Sequence, residues 1–287
     1  MSIAAVDTET LQRARAGELS AIDAVLEAIQ PGVFNLAVRM LGHREDARDA
    51  TQEILLKVVT HLGTFRGDSA FGTWVWQVAR RHLIDASTRA REWPQVSFES
   101  LASDLAAGRS LAGDGAGRTI DPEEKALARE IAVTCTQGML MRLDRGHRLA
   151  WALDATFGLD SIEAAQVLEI TPAAYRKRLS RAREVLETFG QAQCGLANPE
   201  APCRCSTQAR AMKKLEASGA APRPKALNLT ASERDSASRA LDELGRLSGL
   251  AGALRAHPDY KAPESLLGAI RAVLSGPGLD NLRGSLH

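Results

Sequence analysis

Cysteine and long apolar runs are both scarce in this sequence, and each scarcity excludes a class of protein. Four cysteines in 287 residues are too few for the disulfide framework of a small secreted domain, so we expect a reducing compartment. No apolar run approaches the roughly 20 residues that a membrane-spanning helix needs. The first 18 residues also lack the charged and then apolar order of a signal peptide. These observations predict a cytoplasmic protein without a membrane partner.

Strand-like alternation of apolar and polar residues is nearly absent, so we predict an all-α fold. Length favours about two domains, and the net charge of +1 says little about partners. In chain order, the predicted segments are a helical domain over 8–92, a flexible acidic linker over 93–124, a second helical domain over 125–190, a loop with cysteine and proline over 191–225, and a helical extension over 226–287. Helix breaks are expected at Pro31-Gly32, at Gly42-His43 and around 63–72, with a helix end at Gly190.

Residues 161–186 show the pattern of a helix-turn-helix, in which the second helix enters the major groove of DNA. Two short helices, 161–168 and 172–186, are separated by three residues, and Thr171 and Pro172 suit the start of the second helix. Its apolar face comprises Tyr175, Leu179, Ala182 and Leu186. Its other surface is basic and carries Arg176, Lys177, Arg178, Arg181 and Arg183. Such a surface suits DNA phosphates, and the alternative is a solvated amphipathic helix in an ordinary bundle.

A second candidate nucleic-acid surface lies on the helix predicted for FGTWVWQVARRHLID, residues 71–85. At 100° per residue, one side collects Trp74, Val75, Val78, Ala79 and His82. Trp76 and Arg80 lie away from that side, and Gln77 and Arg81 form a parallel pair. Exposed aromatic rings flanked by cations suit single-stranded nucleic acid, where bases stack and phosphates need neutralising. The alternative is that Trp76 packs against a neighbouring helix.

Four motifs in a fixed order carry a family resemblance. They are DARDATQEILLKV at 46–58, FRG at 65–67, TWVWQVAR at 73–80 and the helix-turn-helix that closes on RAR at 181–183. Together they resemble an extracytoplasmic-function sigma factor, a small member of the sigma-70 family of bacterial RNA polymerase, over about residues 10–190. The resemblance implies a region 2 that binds the polymerase clamp and opens the −10 promoter element. It also implies a region 4 that reads the −35 element, and a linker that threads toward the RNA exit channel.

The same resemblance implies three groups of site residues. The polymerase-binding residues are Asp46, Asp49, Gln52, Glu53 and Lys57. The residues that contact the melted −10 strand are Arg66, Ser69, Trp76, Gln77, Arg80 and Arg81. The −35 reading residues are Thr171, Arg176, Lys177, Ser180 and Arg181. One departure concerns Glu169, which stands in the turn where the family often has glycine, at a position that favours positive φ.

Three of the four cysteines, Cys194, Cys203 and Cys205, lie in the loop QCGLANPEAPCRCST. Soft metals prefer sulfur ligands, so these three thiols are a candidate site for zinc or copper(I). A tetrahedral zinc site would need Cys135 or His147 as its fourth ligand. A redox pair between Cys194 and either of the other two is a second interpretation. The third is that they are small buried residues without chemistry.

The helices predicted at 232–255 and 259–275 have apolar stripes that two short helices cannot bury alone. They are expected to pack on region 2 or region 4, either as a regulator acting in cis or as a structural brace. The chain is therefore interpreted as a sigma factor and not an enzyme, whose partners are core RNA polymerase and promoter DNA. A separate anti-sigma factor is left open. The alternative function is a two-domain helix-turn-helix regulator that does not bind polymerase.

Overall fold

The computed structural model describes residues 3–89, 97–113, 120–219 and 229–275. Within these ranges the chain forms twelve α-helices, a 3-10 turn at Leu62–Thr64 and one short backbone pairing between Cys194 and Cys203. The helices are α1 Thr8–Arg15, α2 Leu19–Leu41, α3 Arg44–Thr60, α4 Phe71–Arg89, α5 Phe98–Ala112, α6 Pro122–Met141, α7 Arg145–Ala155, α8 Ser161–Leu168, α9 Pro172–Gln193, α10 Cys205–Ala217, α11 Ala231–Arg255 and α12 Ser265–Ser275. The predicted all-α fold is confirmed.

Two expected helix breaks are absent from the structure. Helix α2 continues through Pro31 because its buried face, with Ile29 and Val33, stays on the core on both sides of the proline. The side-chain amide of Asn35 donates a hydrogen bond to the Pro31 carbonyl at 2.9 Å. Helix α9 also runs past Gly190, where an added Cβ would lie 2.3 Å from Leu250 Cδ2. That glycine allows close packing and does not end the helix.

Two segments expected to be loops contain helices. Helix α5 lies in the predicted linker, where the Ser97 hydroxyl caps its start by accepting from Ser100 N at 3.2 Å. Helix α10 lies in the predicted cysteine-containing loop, and α5 and α10 pack against each other. The expectation of loop structure was wrong for these residues. The buried residues are Leu101, Leu105 and Ala112 in α5 and Ala209 and Ala211 in α10, and so few buried positions leave a weak apolar pattern.

The chain forms two compact units, each built from separate stretches of sequence. The first unit takes residues from 1–91, 149–179 and 260–287, and the second from 92–148 and 180–259. In the first unit α2 is the central helix, in contact with α1, α3, α4 and α12, while α8 packs on α4. In the second unit α6 packs on α10 and α11. The boundaries of the sequence-based domains do not coincide with these units and stay a prediction.

Among the residues that the structure describes, one helix, α2, is long and apolar enough by composition to cross a membrane. Two-thirds of its most apolar window, 67%, is buried inside the protein. Leu26, Ile29 and Phe34 are fully buried within it. The helix therefore has the burial of a core helix.

Candidate nucleic-acid and protein interfaces

Helix α3 carries a row of exposed carboxylates. Its inward side is apolar, with Ala47 and Ile54 fully buried. The opposite side therefore presents Asp46, Asp49 and Glu53, whose side chains are 51%, 63% and 62% exposed. We call these three residues the carboxylate face. Its geometry, acidic and open to solvent, suits a basic partner surface.

The remaining two residues of the predicted polymerase-binding group lie on the same helix. Gln52 is half-buried and Lys57 is exposed. The Lys57 ammonium lies 3.0 Å from Nδ1 of the buried His82 on α4, which also lies 3.8 Å from a Glu53 oxygen. Lys57 therefore contacts α4 as well as extending the polar surface of α3.

A cleft of about 360 Å³ lies beside the start of α4. It is lined by Thr64, Phe65, Arg66, Asp68, Ser69, Trp74, Gln77 and Gln166. The loop that forms it turns at Gly67, with φ of +82°, and is held by the rings of Phe65, Phe71 and Trp74, whose centroids lie 5.4 to 5.8 Å apart. The structure thus brings Arg66, Ser69 and Gln77, three of the predicted −10 residues, to one polar cleft.

Trp76 is buried, so the expectation of an exposed ring is wrong. Its side chain is 3% exposed and its ring centroid lies 4.5 Å from that of Phe157. On its other side the indole approaches Gly32, where an added Cβ would lie 3.2 Å from the ring. The helical projection placed Trp76 away from the apolar side of α4, but it could not show that Gly32 on α2 and Phe157 enclose the ring. The alternative, packing against a neighbouring segment, describes Trp76 correctly.

Arg80 and Arg81 share one acidic partner, Glu169. Arg80 Nη2 lies 2.6 Å from Glu169 Oε2, and Arg81 donates to the other carboxylate oxygen. The hydrogen bond from Arg81, with the charge of Arg80, lowers the pKa of the Glu169 carboxyl. Beside them, Gln77 Nε2 donates to the Gln166 carbonyl at 2.9 Å. Sequence reasoning missed these contacts because nothing local signals which distant residue faces α4.

Glu169 itself ends α8 in the left-handed conformation, with φ 56° and ψ 43°. Among the described residues it is the one non-glycine with positive φ. The expectation that this turn position needs positive φ is therefore confirmed. A side chain with a Cβ costs about 1–2 kcal/mol in this conformation, so the glutamate is held there by other contacts.

The second helix of the helix-turn-helix is formed as expected. The Thr171 hydroxyl accepts from Ala174 N at 3.2 Å and caps α9. Tyr175 and Leu179 are buried on its apolar side, and the Tyr175 hydroxyl donates to the Ala150 carbonyl at 3.2 Å. All five residues predicted to read the −35 element, Thr171, Arg176, Lys177, Ser180 and Arg181, are exposed.

The four cysteines of the chain lie near one another in the second unit and are free thiols. Cys194 and Cys203 are paired in a parallel backbone bridge, with Gly195 N donating to the Cys203 carbonyl at 3.0 Å. Burial raises the pKa of Cys205 to about 12 and also raises the pKa of Cys135 and Cys203. Charges on the other three thiols would raise the pKa of Cys135 further.

Although the four thiols lie near one another, their arrangement is not that of metal ligands. Across the described residues, no three side chains of His, Cys, Asp or Glu are arranged to hold a metal ion. Zinc or another soft metal at Cys194, Cys203 and Cys205 therefore stays a prediction from the sequence.

The C-terminal residues of the first unit pack on α2 and α3. The buried Asn35 amide donates to the Tyr260 carbonyl and accepts from Tyr260 N, both at 2.9 Å, while Arg39 lies 5.1 Å from the Tyr260 ring centroid. Arg271 on α12 binds Asp23 at 2.6 and 2.8 Å and Glu27 at 2.8 Å. The apolar side of α12 is covered, with Leu266, Ile270 and Leu274 buried. We call residues 260–275 the tail.

Comparisons of this sequence with known proteins identify a family. The family model for sigma-70 region 2 matches residues 25–92, which include the carboxylate face and all of α4. With the helix-turn-helix of α8 and α9, this match defines a sigma-70 family initiation factor.

Similarity to individual sigma factors identifies the subfamily. The chain is 29% identical over 185 residues to the RNA polymerase sigma-H factor of Pseudomonas aeruginosa, a match that covers 63% of this chain and 92% of the relative. It is 23% identical to the ECF RNA polymerase sigma factor SigW of Bacillus subtilis, over 61% of this chain and 92% of the relative. It is 26% identical to the ECF RNA polymerase sigma-E factor of Escherichia coli, over 65% of this chain and 95% of the relative. The chain belongs to the extracytoplasmic-function sigma factors and functions in transcription initiation with RNA polymerase.

Proposed function

We propose that this sigma factor binds polymerase through α3, opens the −10 element with α4 and its loop, reads the −35 element with α9, and is regulated in cis by its own C-terminal extension. In this proposal the chain is a cytoplasmic binding protein and not an enzyme. Its partners are core polymerase and promoter DNA, and a separate anti-sigma factor stays an open prediction.

The polymerase-binding assignment is supported by the exposure of the carboxylate face. A charged protein interface needs side chains that the free protein leaves accessible, and Asp49 and Glu53 are each more than half exposed. The −35 assignment is supported in the same way, because Arg176 and Lys177 are exposed on the helix that follows the turn. Both surfaces are available in the structure.

Regulation in cis is supported by one observation: the tail packs on α2 and α3. The matches cover 61–65% of this chain and 92–95% of each relative, so this chain is longer than these relatives. Its α12 contacts α2 and α3, the second of which bears the carboxylate face. A tethered segment acts at high effective concentration, so a modest contact can oppose polymerase binding.

The test is in vitro transcription with core polymerase. Arg271→Glu places a carboxylate beside Asp23 and Glu27, which should release α12 through like-charge repulsion without touching the core. We expect the variant to reach half-maximal transcription at a lower sigma concentration than wild type. Arg239→Glu, an exposed arginine on α11, is the matched charge control. Identical activity of all three proteins would leave the extension as a brace.

A further inference from the structure

We propose that Glu169 is an anionic latch that occupies Arg80 and Arg81 in the free protein and must leave before α4 can bind DNA. This inference rests on the proposed function, because it takes the two arginines as ligands of the −10 strand. It adds a regulatory contact that lies in the turn of the helix-turn-helix, apart from the C-terminal extension.

The geometry is that of an anion held between two guanidinium groups. One carboxylate oxygen of Glu169 lies 2.6 Å from Arg80 Nη2, and the second accepts from Arg81. Arginine recognises carboxylate and phosphate with the same planar set of donors. A DNA phosphate and the Glu169 carboxylate would therefore compete for the same N–H groups.

The backbone at Glu169 supports a role for this particular side chain. The position requires positive φ, which glycine adopts without a steric cost and glutamate does not. Strained residues persist where the surrounding structure holds them, and they often mark functional contacts. What glutamate adds over glycine at this turn is the carboxylate that reaches the two arginines.

Neighbouring contacts engage the same side of α4. Gln77 donates to the Gln166 carbonyl, and the Trp76 ring lies against Phe157. Four of the six residues proposed for the −10 strand are thus engaged by residues 157–169, all within the first unit. Arg66 and Ser69, at the mouth of the cleft, are the other two. The latch therefore covers one part of the proposed DNA surface and leaves the loop accessible.

The latch is built to be reversible. Arg81 is 63% exposed and Glu169 is 44% exposed, so solvent and salt weaken their pairing. Arg80 Nε is buried and has no hydrogen-bond partner among the described residues, which is an unfavourable state for a donor. A polyanionic strand brings several phosphates at once, and it can displace one carboxylate.

The test compares full-length wild type with Glu169→Gln and Glu169→Gly. The glutamine variant removes the charge, and the glycine variant also relieves the left-handed backbone, so loss of folding cannot explain a shared effect. Glu163→Gln is the matched control, because it makes the same charge change on α8 and glutamine preserves the helix cap. Two readouts are needed: modification of individual arginines by phenylglyoxal, read by mass spectrometry, and binding of a short fluorescent single-stranded DNA.

We expect Arg80 and Arg81 to be modified several-fold faster in both Glu169 variants, while exposed Arg66 serves as the internal reference. DNA binding by the free variants should tighten by about fivefold at low salt, and the gain should shrink as salt screens the pairing. Adding Arg80→Ala and Arg81→Ala should remove the gain. Unchanged arginine reactivity and unchanged DNA binding in the Glu169 variants would overturn the latch.

Two further outcomes separate the latch from the function on which it rests. If Arg80→Ala and Arg81→Ala impair promoter opening by the holoenzyme but the Glu169 variants bind DNA like wild type, the DNA assignment holds and the latch is wrong. If the arginine variants leave promoter opening unchanged, the −10 assignment of these residues fails, and the latch proposal fails with it.

Discussion

The side-chain amide of Asn35 pairs with both backbone groups of Tyr260, a residue 225 positions later in the chain. Asn35 is fully buried, so its amide satisfies two backbone groups that water cannot reach. The pairing fixes where the tail enters the first unit, and Arg271 on α12 adds an exposed ionic contact beyond it. This difference in burial is why Arg271 is the better position at which to release α12: a change at Asn35 would also leave buried polar groups unpaired.

Reversing the charge of the carboxylate face should abolish polymerase binding. Asp49→Lys together with Glu53→Lys places two cations where the proposed basic partner docks, and like charges facing each other cost several kcal/mol. Pull-down with core polymerase should show at least a tenfold loss, with an unchanged helical circular dichroism spectrum. Glu184→Lys with Glu187→Lys, two exposed carboxylates on α9, is the matched control. Wild-type binding by the first variant would exclude α3 as the polymerase-binding helix.

Removing basic residues from α9 should weaken duplex −35 binding in a salt-dependent way. Each DNA phosphate that Arg176→Ala or Lys177→Ala leaves without a cation should reduce the slope of log K against log salt by about 0.9. Fluorescence anisotropy over a salt series measures this slope. Arg239→Ala on α11 should leave it unchanged. A lower affinity with an unaltered slope would indicate that these side chains bind base edges and not phosphates.

Truncating Trp76 should act first on stability. The buried ring fills space between Phe157 and Gly32, so Trp76→Ala should lower the free energy of unfolding by about 3–5 kcal/mol, measured by urea titration. Promoter opening and duplex −35 binding should then fall together as the folded fraction falls. Trp76→Phe should retain most of the stability. A selective loss of promoter opening, with stability intact, would show that Trp76 acts mainly on DNA.

Burial of the thiols predicts a loss of stability at alkaline pH. The pKa of Cys205 is raised in the fold to about 12, above the value near 8.5 for an unperturbed cysteine. The neutral thiol is therefore favoured in the folded state, and its contribution is present below about pH 8.5 and lost as pH rises toward 12. Urea titrations of wild type and Cys205→Ala across this range should show a shallower decline for the variant. Equal declines would mean that the Cys205 thiol titrates normally in the fold.

Local signals in the sequence predicted some elements well. The helix-turn-helix was recognisable because Thr171 and Pro172 mark the start of α9 and its buried residues recur at helical spacing. The carboxylate face was predictable because Asp46, Asp49 and Glu53 share one side of a helix. These features depend on residues within a few turns of each other, which is the range over which periodicity and capping are informative.

Other elements had no local signal. Helices α5 and α10 each bury few residues, so their apolar stripes are faint. Pro31 suggested a break that the apolar core of α2 overrides. Glu169, which binds Arg80, and Phe157, which contacts Trp76, each lie more than 80 positions further along the chain. A single sequence does not show which distant segment covers a helix face. The contacts of Glu169 and Tyr260 also join residues that are far apart in the sequence.

The contact between Asn35 on α2 and Tyr260 also sets the order in which the first unit can assemble during synthesis. A ribosome adding about 5–20 residues per second needs about 10–45 seconds to travel the 225 positions from Asn35 to its partner. Through that interval α2 and α3 exist on the nascent chain without the segment that later covers them. The surface beneath α12 is then exposed to chaperones and to polymerase alike, and each newly made molecule passes through an uncovered stage before it can reach the folded arrangement.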